Sequence, residues 1–173
     1  MTTLIISFII LSSYIVFYLC YVGLLPSHSN SYYALKEKNK NLGFLFPVTL
    51  FSSSFLLMLT ALDYTPDPLT FTAFFTCAPV LFTSLAPAYK EDGVEGDVHF
   101  AGAKVGGIMS FVWAVWMSIS VCWWFILIVA GCALIFYLLY LKYHKPVLFL
   151  EYTAFLYPYI VLFLAIKYQY FFN

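Results

Sequence analysis

The stretch Pro87–Met109 reads PAYKEDGVEGDVHFAGAKVGGIM, and it joins the densest cluster of acidic residues in the chain to the start of a glycine-rich apolar segment. From Val98 to Leu141 the only residue of fixed charge is Lys104. A single helix over that range would be roughly 66 Å long, about twice the hydrocarbon core of a bilayer. The stretch therefore predicts an acidic loop followed by two membrane-spanning helices.

The composition of the whole chain points the same way, since 64% of its residues are apolar and 9% are charged. A water-soluble domain of 173 residues could not cover its surface with so few charges. Each span takes about 20 apolar residues, so there is room for about five to seven spans and no separate soluble domain. The net charge of zero argues against nucleic acid as a partner, because binding phosphates requires a basic face. The lipid bilayer is the partner that this composition predicts.

Six apolar segments separated by polar joints predict an all-α integral membrane protein, a bundle of six transmembrane helices forming one domain, 1–173. The break between the fourth and fifth segments is expected near Ser118–Ser120, beside tryptophans of the kind found at membrane interfaces. A shorter segment, 31–40, is expected to lie in the interface. The six predicted spans are 2–25, 43–62, 69–89, 98–118, 121–141 and 147–166.

Lysine residues predict the orientation of the bundle. By the positive-inside rule, the joints that carry most lysines are cytoplasmic, which places both termini on the non-cytoplasmic side. We expect the protein in a bacterial inner (plasma) membrane. The first, third and fifth joints hold Lys36, Lys38, Lys40, Lys90, Lys142 and Lys145.

The three histidines of the chain, His28, His99 and His144, all fall in or beside the joints predicted to be cytoplasmic. Asp97 lies two residues before His99. Imidazole and carboxylate groups are ligands of catalytic zinc, which keeps one position open for water. These four residues are therefore a candidate zinc site for hydrolysis of a lipid amide or ester. No HExxH motif is present, and the alternative is that the histidines are solvated, cap helices or pack.

The acidic joint holds Glu91, Asp92 and Glu95. Glu95 and His99 are four residues apart, and they share a helix face if the helix begins before Glu95. The joint is thus a candidate source of carboxylates beside His99.

Two charged residues fall inside predicted spans, Lys104 and Glu151. An ionisable group within a bilayer is costly and by default suggests function. Lys104 lies about 9 Å along its span, from where its amine can reach the headgroups. The alternative is an ion pair between Lys104 and Glu151, which burial of either charge would require. Both residues would suit a small transporter or channel.

Small residues recur along the fourth span. Gly102 and Gly106 have the spacing G-x-x-x-G, and Ala103 and Gly107 repeat it beside them. Small residues one turn apart allow the backbone of a neighbouring helix to approach closely. His99 shares this face, so it is expected to point into the bundle. The face predicts helix association within the chain, in a homo-oligomer or with another membrane protein.

The segment LAPAYKEDGVEGDVHFAGA (85–103) resembles one found in small uncharacterised membrane proteins of Bacteroides-type bacteria and their phages. In those proteins an acidic joint also runs into a V-H-x-x-G-A helix start, here 98–103, and the run SYYALK (31–36) is similar too. This resemblance implies no activity. A looser similarity is to the alkaline ceramidase superfamily, whose members hold zinc with histidines, an aspartate and a serine near the cytoplasmic face. The chain departs from that pattern in its six predicted spans rather than seven and in lacking paired late histidines.

Three hypotheses for function follow. We favour a multi-pass membrane protein that is not an enzyme and acts by helix association within the bilayer. The second hypothesis is a small transporter or channel that uses Glu151 and Lys104. The third is a zinc-dependent lipid hydrolase at the cytoplasmic leaflet, and zinc is the only cofactor that the residues suggest.

Overall fold

The computed structural model of the chain describes residues 1–90, 93–121 and 123–172, and all regular structure in these ranges is helical. The prediction of an all-α fold is confirmed. In chain order the elements are α1 (Thr2–Tyr21), α2 (Asn30–Lys38), a 3-10 helix (Lys40–Leu42), α3 (Leu45–Tyr64), α4 (Thr70–Leu85), α5 (Val94–Val121), α6 (Phe125–Tyr143) and α7 (Pro146–Phe172).

Five helical segments of the described chain are long and apolar enough to cross a membrane, which confirms the prediction of several membrane-spanning helices. The predicted third span, 69–89, forms a helix of only 16 residues, α4. That is about 24 Å, short of the roughly 30 Å hydrocarbon core. The helical conformation is disfavoured for a residue that precedes a proline. Ala86, which precedes Pro87, is accordingly not helical, and α4 ends at Leu85. Six spans and their sidedness stay predictions. The five segments are Thr2–Tyr21, Lys40–Tyr64, Val94–Val121, Phe125–Tyr143 and Pro146–Tyr168.

The break between α5 and α6 lies later than the sequence predicted. α5 continues through Ser118 and Ser120 to Val121. Both serine hydroxyls donate hydrogen bonds to carbonyls four residues earlier, at 2.6 and 2.9 Å. Because a serine can satisfy its hydroxyl on its own helix in this way, the pair does not interrupt the helix.

The helices pack in a continuous order. α4 lies against α3 and α5, α1 packs on α3, and α7 packs on α5. α6 lies outside this group against α7 and α5, and only Phe125 and Val129 of its residues are buried. Large apolar side chains are exposed on the outer faces of α1 and α3–α7. Soluble proteins rarely expose so much apolar surface, so this exterior suits a surrounding of lipid.

α4 and α5 approach each other closely at two glycines. A Cβ atom on Gly102 would lie 2.5 Å from the Pro79 carbonyl oxygen, and one on Gly106 would lie 2.7 Å from a Val80 methyl. These two glycines therefore contact α4 of the same chain. A Cβ on Gly107 would meet nothing within 4 Å. Gly107 and Ala103, which lies one helical turn before it, both line the cavity described below.

One end of the bundle carries a group of buried and hydrogen-bonded polar residues, and we call it the polar end. It comprises 27–31, 86–90 and the first two turns of α5 and α7. The Tyr89 hydroxyl donates to the Asn30 side chain at 2.7 Å, and the Lys90 backbone N–H donates to the Tyr33 hydroxyl at 2.7 Å. These bonds attach α2 to the segment between α4 and α5.

Candidate functional site

A hydrogen bond between Ser29 and His99 lies at the centre of the polar end. His99 Nε2 is 2.9 Å from Ser29 Oγ, and His99 Nδ1 is 2.8 Å from the Ala86 carbonyl oxygen. A carbonyl oxygen can only accept, so Nδ1 carries a proton. In the neutral imidazole Nε2 then has a free lone pair, which accepts the Ser29 hydroxyl proton. The backbone of Ala86 thus fixes the tautomer in which His99 can act as a base towards Ser29.

Aromatic rings hold the imidazole of His99 in place. The Tyr89 ring stacks on it with centroids 4.5 Å apart and an angle of 23° between the planes. The Phe46 ring lies roughly parallel to it at 6.4 Å. His99 is 2% exposed. Burial raises the pKa of the Tyr89 hydroxyl, so that hydroxyl remains the donor to Asn30 at neutral pH.

Ser29 does not cap α2, although it precedes the first residue of that helix. Its side chain makes no capping hydrogen bond. Ser27 takes over this role, since its Oγ accepts from the backbone N–H of Asn30 at 3.3 Å and from the Asn30 side-chain amide at 3.0 Å. An N-cap hydroxyl typically stabilises a helix by about 1 kcal/mol. Ser29 forgoes that bond and points to His99 instead.

Glu151 holds the other side of Ser29. One of its oxygens accepts from the His28 backbone N–H at 2.5 Å, and the other lies 3.5 Å from Ser29 Oγ. Lys104 is exposed. The Glu151 carboxylate is therefore held by the loop before α2, and not by the ion pair with Lys104 that the sequence suggested as an alternative.

The side chain of His28 packs within a group of aromatic rings and is 1% exposed. Burial lowers the pKa of the His28 imidazole to about 3, so the ring is neutral at pH 7. Its Nε2 has no hydrogen-bond partner in the described part of the chain. His28 thus contributes its backbone to the site and its ring to the core. The rings around it belong to Tyr14, Tyr18, Phe46, Tyr152 and Phe155.

The structure does not bring the predicted zinc ligands together. His144 is exposed at the end of α6 with a positive φ of 53°, and Asp97 is exposed in the first turn of α5. Both ring nitrogens of His99 already have partners. Among the described residues no group of three or more His, Cys, Asp or Glu side chains could hold a metal ion. The donor set therefore does not fit zinc, and we derive no step through it.

The acidic joint lies apart from the Ser29–His99 pair. Glu95 is exposed although it is one turn before the buried His99. Glu91 and Asp92 lie outside the described residues. The carboxylate that does approach Ser29 belongs to Glu151 on the last helix.

A cavity of about 440 Å³ extends from the polar end into the bundle. Residues of α1, α3, α4, α5 and α7 line it, and most of them are apolar, such as Leu50, Leu57 and Phe155. Ser29, His99 and Glu151 lie in the same lining. The cavity thus combines a mainly apolar lining with a group of polar side chains at one end.

The cavity opens to the outer surface between α5 and α7. Its lining includes exposed residues of α5 (Phe100, Lys104 and Ile108) and of α7 (Val147 and Leu150). Most residues of this rim are apolar, and Lys104 is the positively charged residue among them. In a bilayer such an opening gives access from lipid rather than from water.

Sequence reasoning missed Ser29, Tyr89 and the carbonyl of Ala86. In sequence, the run Ser27–Ser31 offers several N-cap candidates for the helix that follows. Its density of small polar residues, between an apolar span and an aromatic helix, was the sign that polar groups would be buried there. Ser27, His28, Ser29 and Ser31 are in fact all buried.

Comparison with protein-family models, with curated proteins and with solved structures gave no match to this chain. The cavity and the polar groups at its end are therefore the observations from which function can be inferred.

Proposed function

We propose that this protein is a multi-pass membrane protein that binds an amphiphile, a molecule with one acyl-like chain and a polar head, in the cavity between α5 and α7. The observation that carries the proposal is a cavity with an apolar body, a polar end and an opening towards lipid. Such a shape matches a molecule that is itself apolar along most of its length and polar at one end.

The size and lining of the cavity support this assignment. Sites for small molecules usually have volumes of about 300–1,000 Å³ and are lined mainly by apolar side chains with a few polar groups. The cavity here, at about 440 Å³, lies within that range.

Polar groups in the lining are available to a bound head group. Ser29, His99 and Glu151 all lie in the lining at the polar end, where a head group would meet them. Lys104 at the rim supplies a positive charge for an anionic head.

Transport of the same amphiphile is a second candidate function. Glu151 and Lys104, the two charged residues within the spans, both line the cavity. A transporter would move its solute past these groups, and replacing Glu151 with Gln would then reduce flux into proteoliposomes while binding persists. Helix association with another chain, the function favoured from sequence, would have to use a surface other than Gly102 and Gly106, because α4 occupies both.

The binding proposal is tested with a photoreactive fatty acid that carries a diazirine in its chain and an alkyne at its end. Purified protein is irradiated with this probe in detergent or nanodiscs, and cross-linked peptides are mapped by mass spectrometry. We expect saturable cross-linking on α5 and α7 at residues that line the cavity. Cross-linking spread evenly over exposed residues of α6 would contradict the proposal.

A pair of glycine variants provides the matched control. Gly107→Leu places a side chain in the cavity, and a Cβ there meets nothing within 4 Å. Gly131→Leu makes the same change on exposed α6, where a Cβ also meets nothing within 4 Å. Both variants should fold, and only Gly107→Leu should lose the saturable cross-linking. Equal cross-linking in the two variants would show that the probe binds elsewhere.

A further inference from the structure

We propose that Ser29 is a nucleophile and His99 its general base, and that the protein cleaves an acyl ester whose chain occupies the cavity. This inference rests on the proposed binding of an amphiphile and adds a reaction to it. The substrate class is an ester of a long-chain acid, and water is the second substrate.

The first support is the geometry of the pair. A serine nucleophile needs a base within about 2.6–3.2 Å and a third group that orients the base. Ser29 Oγ and His99 Nε2 are 2.9 Å apart, and the Ala86 carbonyl orients the ring through Nδ1 at 2.8 Å. Buried ring nitrogens are normally hydrogen-bonded in any case, so the feature that points to catalysis is that the partner of Nε2 is the hydroxyl of a residue that lines the cavity.

The second support is the placement of the Ser29 hydroxyl. It lines the cavity although Ser29 is only 7% exposed, so a molecule in the cavity can reach it. It makes no capping bond at the start of α2, and Ser27 supplies that bond instead. The local sequence thus provides one serine for the helix and a second one for the cavity.

The third support is the environment of the hydroxyl. Ser29 lies at the N-terminus of α2, a helix of nine residues whose partial positive charge favours a developing negative charge there. Glu151 fixes the loop through the His28 backbone N–H at 2.5 Å. Ser29 Oγ lies 3.5 Å from the Glu151 carboxylate oxygen and 2.9 Å from His99 Nε2, so its shorter hydrogen bond is the one to His99. Glu151 is therefore a positioning residue.

The reaction balances with these groups and water. Ser29 Oγ bonds to the ester carbonyl carbon while its proton passes to His99 Nε2. The bond from that carbon to the alkoxy oxygen then breaks, and His99 returns the proton to the leaving alcohol. Water attacks the acyl-serine, His99 takes a proton from it, and the acid leaves as that proton returns to Ser29 Oγ. The net reaction is ester plus water to acid plus alcohol.

The experiment uses alkyl fluorophosphonates, which form a stable phosphonyl ester with an activated serine. Full-length protein in detergent is treated with a short-chain and a long-chain probe over a pH range of about 7 to 9. The modified residue is identified by peptide mass spectrometry. We expect modification of Ser29, faster with the long chain.

Three variants separate a catalytic pair from a structural one. Ser29→Ala should remove the modification, and His99→Gln should slow it by about 100-fold or more, the usual contribution of a general base. Ser84→Ala is the control, because Ser84 is buried, donates only to the Leu81 carbonyl, and does not line the cavity. It should react like the unaltered protein. Each variant is first shown to be monodisperse with an unchanged melting temperature.

The outcomes distinguish this inference from the binding proposal. Modification of Ser29 that depends on His99 supports the inference. Absence of modification in monodisperse protein, with either chain length and across the pH range, overturns it. So does equal modification of Ser29 in His99→Gln. If photo-cross-linking to the cavity persists in either of these cases, the binding proposal survives and only the reaction is lost.

Discussion

Replacing Gly102 with alanine tests whether α4 and α5 pack as closely as described. The new Cβ would lie 2.5 Å from the Pro79 carbonyl oxygen and 2.5 Å from Thr83 Oγ1. The carbonyl belongs to the backbone of α4, so the helices must separate. Overpacking of this kind costs about 1–3 kcal/mol, and alanine recovers up to about 1 kcal/mol through its higher helix propensity. The expected net loss in the free energy of unfolding is about 1 kcal/mol.

Gly107→Ala is the matched change on the same helix. A Cβ at this position meets nothing within 4 Å, so only the gain in helix propensity of up to about 1 kcal/mol remains. The two variants should therefore differ by about 2 kcal/mol. For a chain of this size the difference corresponds to roughly 4–8 °C in melting temperature. Thermal unfolding in one detergent, followed by intrinsic fluorescence, measures it.

The sign of the difference decides the outcome. If Gly102→Ala melts at or above the temperature of Gly107→Ala, then α4 does not contact α5 at Gly102. The assignment of this glycine to packing within the chain would then be wrong. A dimer that dissociates only in Gly102→Ala would have the same consequence, because the glycine would be contacting a second copy.

Three further predictions concern buried polar groups. Because the folded pKa of His28, about 3, lies below the unfolded value of about 6.5, protonation of this ring lowers stability as pH falls from about 6.5 towards 3, by roughly 2–3 kcal/mol near pH 4 to 5. The melting temperature of His28→Phe should fall less steeply than that of the unaltered protein as the pH is lowered. Identical dependence of the two melting temperatures on pH would contradict this. Thr65→Val should lower the free energy of unfolding by about 1–3 kcal/mol, because the buried indole N–H of Trp113 loses the hydroxyl that accepts its hydrogen bond at 3.0 Å. An unchanged melting temperature would refute that bond. Ser7 Oγ donates to the Ser53 carbonyl at 2.6 Å and also bonds the Tyr159 hydroxyl at 2.7 Å. Ser7→Ala removes both bonds and Tyr159→Phe only the second, so Ser7→Ala should lower the free energy of unfolding more. The double variant measures the coupling between the two side chains.

Local features of the chain were predictable from sequence because they depend on neighbouring residues. Composition and length are sufficient to predict apolar helices, and these are present. His99, Gly102 and Gly106 lie on one buried side of α5, a relation set by helix periodicity alone. The length of α4 was predicted wrongly because Pro87 was placed inside the span, although the proline restricts the residue before it.

The candidate site could not be predicted because it joins distant parts of the chain. Ser29 and His99 are separated by 70 residues, and His28 and Glu151 by 123. Their meeting depends on how the loop before α2 folds and on where α7 packs, neither of which has a local pattern. The exchange of roles between Ser27 and Ser29 at the start of α2 is likewise invisible in sequence, since both residues are good N-caps.

The bond from the His28 backbone to Glu151 also has a consequence for biosynthesis. A ribosome adds about 5–20 residues per second, so Glu151 emerges roughly 6–25 s after His28, from which it is separated by 123 residues. During this interval the loop before α2 has neither its carboxylate acceptor nor the wall that α7 provides. Nascent chains that stall before α7 would thus present a polar loop among otherwise finished helices.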